Sequence, residues 1–356
     1  DLQDKIEWCK FSGIEFNHQG TGFYYNCYPP PEGMAGGEEG GTETAAAQNQ
    51  MVKFHTIGDS DATNDVLIYQ TPDHPEWMFG TTVTQDGNYL LISNNDSCDP
   101  VNRLYIHSLV EKDNGNDEET KESSIKQVVK AVDHLKAKWE YLYNIGTTFW
   151  FVTNLNAPKN KIVQVTLPEG SMLYDNVEAA EQAFDEKNLI EIVAETGNVL
   201  ETAQVVAQDV VVLRYLVDCK HELFMVHLKD GGMIQKIEFP TIGTVLGITG
   251  RPIDENIYFK VYNFVSPGTI YKCKCFVLLA VRVWNQQNCL TQRLELTCGC
   301  VFFSTITGDI SNKENSKVVQ YRETVLEGFD PSLYIVEQRF ATSKDGVTQV
   351  RTPEDA

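Results

Sequence analysis

Serine residues are the first candidates for chemistry in this 356-residue chain. A nucleophilic serine of the α/β-hydrolase type stands in the pentapeptide Gly-x-Ser-x-Gly, because a strained turn between strand and helix must expose its hydroxyl. The chain contains no such pentapeptide, and Gly58-Asp59-Ser60-Asp61 is the nearest imitation. Because the aspartates on either side would oppose an alkoxide on Ser60, we interpret this segment as a turn before a strand. We therefore predict no catalytic residue.

Cysteines are the next candidates, since thiolates bind zinc. Five of the nine cysteines lie within 273–300, and two Cys-x-Cys pairs, Cys273 with Cys275 and Cys298 with Cys300, hold four of them. Structural zinc sites usually place about two to four residues between paired cysteines, so the single intervening residue here favours coincidence over metal. We predict no metal and no cofactor, and keep a metal-binding protein built on this cluster as a minor alternative.

The seven histidines show no spacing that is typical of metal ligands. They are His18, His55, His74, His107, His134, His221 and His227. None stands at such a spacing from an acidic residue in the sequence, so we interpret all of them as ordinary surface or strand residues.

The balance of charges excludes two classes of partner. Fifty acidic residues against 29 basic ones give a formal net charge of −21, which repels nucleic acid and anionic lipid. The longest apolar stretch, 276–281, is far shorter than the roughly 20 residues that a membrane-spanning helix needs. The cysteines are odd in number and scattered, as free thiols of a protein in a reducing compartment would be. The N-terminus shows no signal peptide. We therefore expect a cytoplasmic protein without nucleic-acid or membrane partners.

Strands are the elements that must position these side chains. The recurring unit is a turn containing Gly, Asp or Asn, a run of β-branched and aromatic residues, and a second apolar strand. The first strong apolar residues after the turns are Phe23, Tyr89, Phe149, Val210 and Ile257, roughly 50 to 65 residues apart. Five hairpins at this period predict an all-β fold of propeller blades, since a sandwich places turn signals about every 8–12 residues with no longer period.

Three segments depart from this pattern. Residues 119–137 have apolar positions at helical spacing. The acidic, alanine-containing stretch 176–186 predicts a surface helix or loop. Residues 29–50 are rich in Pro, Gly, Glu and Ala, which predicts a solvated loop between two strands.

Six strings of the sequence stand in a distinctive order. They are Lys10-Phe11-Ser12-Gly13, Gly22-Phe23-Tyr24-Tyr25-Asn26-Cys27-Tyr28-Pro29, Gly41-Thr42-Glu43-Thr44, Trp77-Met78, Cys98-Asp99-Pro100-Val101-Asn102-Arg103-Leu104 and Phe264-Val265-Ser266-Pro267-Gly268. In this order and spacing they closely resemble the propeller of the prolyl oligopeptidase family. The resemblance runs from residue 1 to 272, resumes near 318 and continues to 346. Several motifs in one order are a more specific match than any single motif.

The resemblance implies a seven-bladed β-propeller joined to an α/β-hydrolase domain with a Ser-Asp-His triad, which cleaves short peptides after proline. The family's propeller restricts entry to small peptides and covers the active site. By position, Tyr24 corresponds to an aromatic residue that lines the distal substrate subsite, Met78 to the matching methionine, and Cys98 to a cysteine near the active-site mouth. Asn95 stands where the familiar members have arginine, which alters charge contacts to the peptide. These four residues are the substrate-binding residues that the resemblance predicts.

The resemblance also divides the chain. We expect propeller blades over 1–275, a cysteine-rich stretch without counterpart over 276–307, the end of the propeller over 308–322, the first hairpin of a truncated hydrolase domain over 323–350, and a tail over 351–356. The cysteine-rich stretch is either a real insertion or untranslated sequence retained in a gene model. Residues 119–137 become a connector that runs into a strand. In this division the first blade and the catalytic domain are missing, so the propeller is incomplete.

Two functions follow from these expectations. The first is the substrate-gating propeller portion of a prolyl oligopeptidase, inactive by itself, whose partners are short proline-containing peptides that the missing hydrolase domain would cleave. The alternative is a non-catalytic propeller that serves as a protein-interaction scaffold. In both, the open strand edges of an incomplete propeller invite self-association.

Overall fold

The computed structural model describes residues 3–30, 47–110, 128–168, 173–174, 176–275, 279–285, 288–294, 318–342 and 348–351. The chain divides into two compact units, Asp1–Glu195 and Thr196–Ala356. Each unit has its own hydrophobic core.

The first unit contains three antiparallel sheets of four strands, and in each sheet the strands lie side by side in chain order. The first sheet consists of β1 (Ile14–Phe16), β2 (Gly22–Cys27), β3 (Met51–Thr56) and β4 (Val66–Gln70). The second consists of β5 (Met78–Val83), β6 (Tyr89–Asn95), β7 (Arg103–Ser108) and β8 (Val129–Val132). The third consists of β9 (Trp139–Ile145), β10 (Thr148–Thr153), β11 (Lys161–Thr166) and β12 (Ile190–Val193), with helix α1 (Val177–Gln182) between β11 and β12.

The second unit contains two more sheets of this kind. The fourth sheet consists of β13 (Val199–Val206), β14 (Val210–Val217), β15 (Lys220–His227) and β16 (Met233–Ile237). The fifth begins with β17 (Thr244–Thr249), β18 (Asn256–Asn263) and β19 (Ser266–Lys274). A separate hairpin of β20 (Leu279–Asn285) and β21 (Asn288–Leu294) follows, after which β22 (Val318–Glu323) pairs with β19 and completes the fifth sheet. Strands β23 (Arg339–Thr342) and β24 (Thr348–Arg351) form a second hairpin.

The predicted repeat is confirmed. The second strand of each four-stranded sheet contains one of the five residues that marked the repeat: Phe23, Tyr89, Phe149, Val210 or Ile257. Each of these second strands pairs with the third strand of its own sheet. The β-branched and aromatic runs suit such strands because these residues pack well on a pleated surface. Within the described residues the architecture is all-β apart from α1 and three short 3-10 turns, as predicted.

Within the described residues, two clusters of buried side chains join neighbouring sheets of the first unit. One joins the first and second sheets and includes Tyr24, Trp77 and Leu90. The other joins the second and third sheets and includes Tyr89 and Phe149, whose rings meet edge to face at 5.3 Å. Tyr89 and Leu90 are neighbours in β6 yet belong to different clusters, because successive side chains of a strand point to opposite faces. Both faces of the second sheet are therefore covered, which explains its uninterrupted apolar run.

The three segments that depart from the strand pattern have different outcomes. Helix α1 confirms a helix within 176–186, although Ala180 and Phe184 are buried against the core and do not lie on the surface. Strand β8 confirms the strand at the end of 119–137, of which the first nine residues lie outside the described part. Most of the loop 29–50 and of the cysteine-rich stretch lies outside it too.

The described part of the chain holds no helix that is long and apolar enough to cross a membrane. The domain boundaries drawn from the resemblance stay predictions.

Candidate functional site

Two of the predicted substrate-binding residues meet at one end of the second sheet. Met78 is the first residue of β5 and Asn95 is the last residue of β6, and the two are direct partners in the antiparallel pair. The exposed fraction of Met78 is 39%, and Asn95 is half-buried. Since directly opposite residues of a sheet share a face, a thioether and a carboxamide are presented side by side.

Cys98 lies in the exposed loop that connects β6 to β7. Asn102 fastens the end of this loop to the third sheet, because its Oδ1 accepts from the Trp139 N–H at 2.7 Å and its Nδ2 donates to the Trp139 carbonyl at 3.3 Å. The side chain of Asn154 adds a bond from its Nδ2 to the Pro100 carbonyl at 2.9 Å. A loop that carries an exposed thiol is thus held in place by amide side chains.

Arg103 connects this loop to the strand of Met78. Its guanidinium carbon lies 4.0 Å from the centroid of the Trp77 ring, and Trp77 directly precedes Met78. The guanidinium is also 3.4 Å from the carboxylate of Asp96. His74 stacks on the Trp77 ring with centroids 3.9 Å apart. Neither Trp77 nor Arg103 was predicted as a site residue, although both stand in strings that carry the family resemblance.

Tyr24 does not join the exposed residues at this end. Its side chain is 6% exposed and its ring centroid lies 4.8 Å from that of Phe54. Burial raises the pKa of the Tyr24 hydroxyl to about 12. It belongs to the cluster of Phe79, whereas Met78 points to the other face of the strand by alternation. Its assignment to a substrate subsite stays a prediction.

Buried amide side chains lie between the first and second sheets near the same end. Gln50 accepts from the Phe79 N–H at 2.6 Å and donates to the Tyr28 hydroxyl at 3.2 Å, so it joins the start of β5 to the first sheet. Asn26 at the end of β2 and Asn94 near the end of β6 are 1% and 0% exposed. Within the described residues, neither amide of this pair has a hydrogen-bond partner.

The arrangement suits binding better than bond cleavage. Sulfur, amide and guanidinium groups can contact apolar side chains and the backbone of a peptide. Ser60 precedes a 3-10 turn in which the Asp61 side chain accepts from the Thr63 N–H, so the predicted turn is confirmed. Among the described residues, no group of three or more His, Cys, Asp or Glu side chains is arranged so that it could hold a metal ion. Of the four candidate zinc ligands, Cys273 and Cys275 are buried, and the other two lie outside the described part.

Histidine pairing is a feature that the sequence interpretation missed. His55 lies between the carboxylates of Asp65 and Asp4, at 2.8 and 3.2 Å. His221 lies 2.8 Å from the carboxylate of Glu201. Both histidines lie in strands, His55 in β3 and His221 in β15, which agrees with their interpretation as strand residues, but their ion pairs were not predicted. Their partners are ten or more residues away in the sequence and reach them only through the sheets, so no local spacing could indicate them.

Comparison with known proteins places these features in a family. Residues 1–276 match the family model described as prolyl oligopeptidase, N-terminal beta-propeller domain. A prolyl endopeptidase of Dictyostelium discoideum is 28% identical over 274 residues, which are 76% of this chain and 34% of that protein. The prolyl oligopeptidase ophP of Omphalotus olearius is 28% identical over 276 residues, which are 76% of this chain and 32% of that protein.

Solved structures show the same fold. The apo structure of prolyl oligopeptidase B from Galerina marginata superimposes with a TM-score of 0.69 and 21% identity, covering 98% of this chain and 38% of that one. The chain spans about a third of the length of the curated relatives that it matches.

Proposed function

Since the chain belongs to the prolyl oligopeptidase family through its N-terminal β-propeller domain, we propose that it is the substrate-gating propeller portion of a peptidase that cleaves short peptides after proline. The match of residues 1–276 to the propeller domain carries the proposal. The five four-stranded antiparallel sheets of the described residues support it, because a propeller blade is such a sheet. A propeller over an active site acts by restricting which substrates enter.

The complete propeller would have seven blades, two more than the five four-stranded sheets of the described residues. We assign the blades to 1–275, the cysteine-rich stretch to 276–307, the end of the propeller to 308–322, the first hairpin of a hydrolase domain to 323–350, and the tail to 351–356.

The end of the second sheet is the surface that would meet a peptide. Met78 and Asn95 supply a thioether and a neutral amide, and Cys98 lies in the adjoining loop. Tyr24 would stabilise this surface from the buried face of the sheet, because it belongs to the same cluster as Trp77. Trp77 directly precedes Met78 in the sequence. Because a half-exposed thioether and an amide offer few contacts, the expected affinity for a short peptide is weak, at a Kd of about 1 mM or more.

One assay tests whether the chain is inert. The purified chain is incubated with a fluorogenic Gly-Pro amide beside an intact family member as the positive control. We expect no turnover, since the 356 residues contain no Gly-x-Ser-x-Gly elbow. Turnover that survives removal of contaminating proteases would contradict the proposal.

A second assay tests the peptide surface. Methyl NMR of the six methionines follows titration with a short proline-containing peptide, and we expect the Met78 signal to shift. Asn95→Ala should weaken the shift, whereas Met233→Ala, at a methionine that is 63% exposed in β16, should leave it unchanged. A shift confined to other methionines would place the peptide elsewhere.

The partners and location follow from charge and thiols. A net charge of −21 supports a protein that binds neither nucleic acid nor anionic membranes. The six described cysteines form no disulfide, which supports a cytoplasmic location. Unpaired sheet edges support self-association as a property of this chain.

A further inference from the structure

The segment that precedes β1 lies along β2 of the first sheet. The Tyr28 N–H donates to the Trp8 carbonyl at 3.0 Å, and the Asn26 N–H donates to Ser12 Oγ at 2.8 Å. We name residues 3–12 the N-terminal segment. One backbone carbonyl and one side-chain hydroxyl of this segment thus accept from N–H groups of β2 and of the residue that follows it, beyond the part of β2 that pairs with β1.

His55 connects this segment to the sheet through two carboxylates. The imidazole is completely buried, with Nδ1 2.8 Å from Asp65 Oδ1 and Nε2 3.2 Å from Asp4 Oδ2. Asp4 also accepts from the Gly58 N–H at 2.7 Å. Asp65 accepts from the Tyr25 hydroxyl at 2.5 Å. Both ring nitrogens therefore face hydrogen-bond acceptors, and one of these acceptors belongs to the N-terminal segment.

Only the doubly protonated ring can donate to both carboxylates, because a neutral imidazole has one N–H and one lone pair. In the neutral form, one nitrogen would direct a lone pair at a buried carboxylate. We propose that His55, Asp4 and Asp65 form a protonation-dependent clasp, which holds the N-terminal segment against the first sheet when the imidazole is charged and loosens it when the imidazole is neutral.

His55 is the member of the clasp whose protonation changes near neutral pH. The neighbouring groups are Asp4, Asp65, Tyr25, Cys9, Cys27 and Lys53. Burial raises the pKa of the Cys9 thiol to about 11, and burial also raises the pKa values of Cys27 and Tyr25. These three groups therefore stay protonated at neutral pH.

The direction of the effect follows from two shifted pKa values. Burial alone would lower the pKa of His55, but the hydrogen bonds and charges of Asp65 and Asp4 outweigh it and raise the pKa above its ordinary value. The clasp is therefore complete below pH about 6.5 and is lost as pH rises through the raised pKa. The hydrogen bond from the Gly58 N–H lowers the pKa of Asp4. Asp4 therefore stays ionised, and keeps its bond to His55, until the pH falls below 3.8, the ordinary pKa of its carboxyl group. The segment is held most tightly between these limits.

Loosening would uncover part of the first sheet. The Phe23 ring centroid lies 5.2 Å from that of His55, and Tyr25 and Cys27 are 2% and 4% exposed while the segment is in place. Aromatic and thiol side chains of β2 would then become accessible to solvent or to another protein.

Hydrogen exchange of the full chain tests the clasp. The reporters are the backbone amides of Asn26, Tyr28 and Gly58, which donate to the N-terminal segment. After correction for the intrinsic rate, their protection should fall by up to about tenfold for each pH unit above 6.5, the limit for release of one proton. Amides of β6, which pairs with β5 and β7 in the second sheet, should keep constant protection over the same range.

Variants separate the clasp from general loosening. In His55→Gln the pH dependence of the reporters should vanish. In Asp4→Asn, which keeps the buried histidine and a side chain of the same size, the reporters should lose protection at pH 6 while β2 stays paired with β3. His227→Gln is the matched control, since His227 pairs with Asp209 in the other unit, and should leave the profile unchanged. Constant protection of the reporters from pH 5.5 to 8.5 in the unmodified chain would overturn the proposal, as would a pH dependence that persists in His55→Gln or a protection at pH 6 that Asp4→Asn leaves unchanged.

Discussion

Three buried amides between the first and second sheets offer a comparison of side chains that have the same chemistry and different partners. Gln50 is 1% exposed and makes both of its hydrogen bonds across the two sheets. Asn94 is 0% exposed and has no partner among the described residues. We predict that Gln50→Met destabilises the first unit and that Asn94→Leu does not.

The magnitudes follow from what each substitution leaves behind. Gln50→Met strips the buried Phe79 N–H of its acceptor, and an unsatisfied buried donor costs about 1–3 kcal/mol. Asn94→Leu removes an amide whose burial without a partner already costs about 1–3 kcal/mol. Part of that gain is lost because leucine is slightly larger than asparagine in a packed site. We therefore expect a change between neutral and about 1 kcal/mol of added stability.

Urea unfolding followed by tryptophan fluorescence measures the difference. Four of the five tryptophans, Trp8, Trp77, Trp139 and Trp150, lie in the first unit. With a slope of about 2 kcal/mol per molar urea, the Gln50 variant should lower the midpoint by about 0.5–1.5 M. Asn26→Leu provides a second test of an unpartnered amide. If Asn94→Leu lowers the midpoint as much as Gln50→Met, the Asn94 amide is satisfied in solution and the reasoning is refuted.

Three further predictions concern the core, the loop anchor and the sheet edges. Phe149→Ala, at a ring that is 0% exposed, should cost about 3–5 kcal/mol, whereas Phe264→Ala, at a ring that is 82% exposed, should stay within about 0.5 kcal/mol in the same urea assay. Arg103→Gln should speed hydrogen exchange in the loop of Cys98, because the contacts with Trp77 and Asp96 are lost; unchanged exchange there would mean that the Asn102 and Asn154 amides anchor the loop without Arg103. Size-exclusion chromatography should show oligomers at micromolar concentration because sheet edges are unpaired, and a compact monomer at every concentration would contradict this.

The hairpins were predictable because their signals are local. A turn residue such as Gly87, followed by the run that starts at Tyr89, contains most of the information that defines a strand. The outer strands were harder, since they depend on partners that are distant in the sequence. Residues 128–137 carry apolar residues at helical spacing, yet Val129 and Val132 pair with β7, and this pairing decides their structure. Strand β22 joins β19 across more than 40 residues of intervening sequence, which no periodicity could indicate.

In the candidate site, too, the features that depend on local sequence were predictable, and those that depend on distant residues were not. The family resemblance singled out Met78 and Asn95 one at a time, but only the register of β5 and β6 makes them neighbours. The anchors of that site are amides and charges whose role is set by the partner. Gln50 and Asn94 have the same functional group in the same layer, yet the Gln50 amide joins two sheets and the Asn94 side-chain amide has no partner in the described part of the chain. The residue type determines which hydrogen bonds a side chain can make. The fold determines which of these hydrogen bonds are formed. For this reason the urea comparison tests the packing of the two sheets directly.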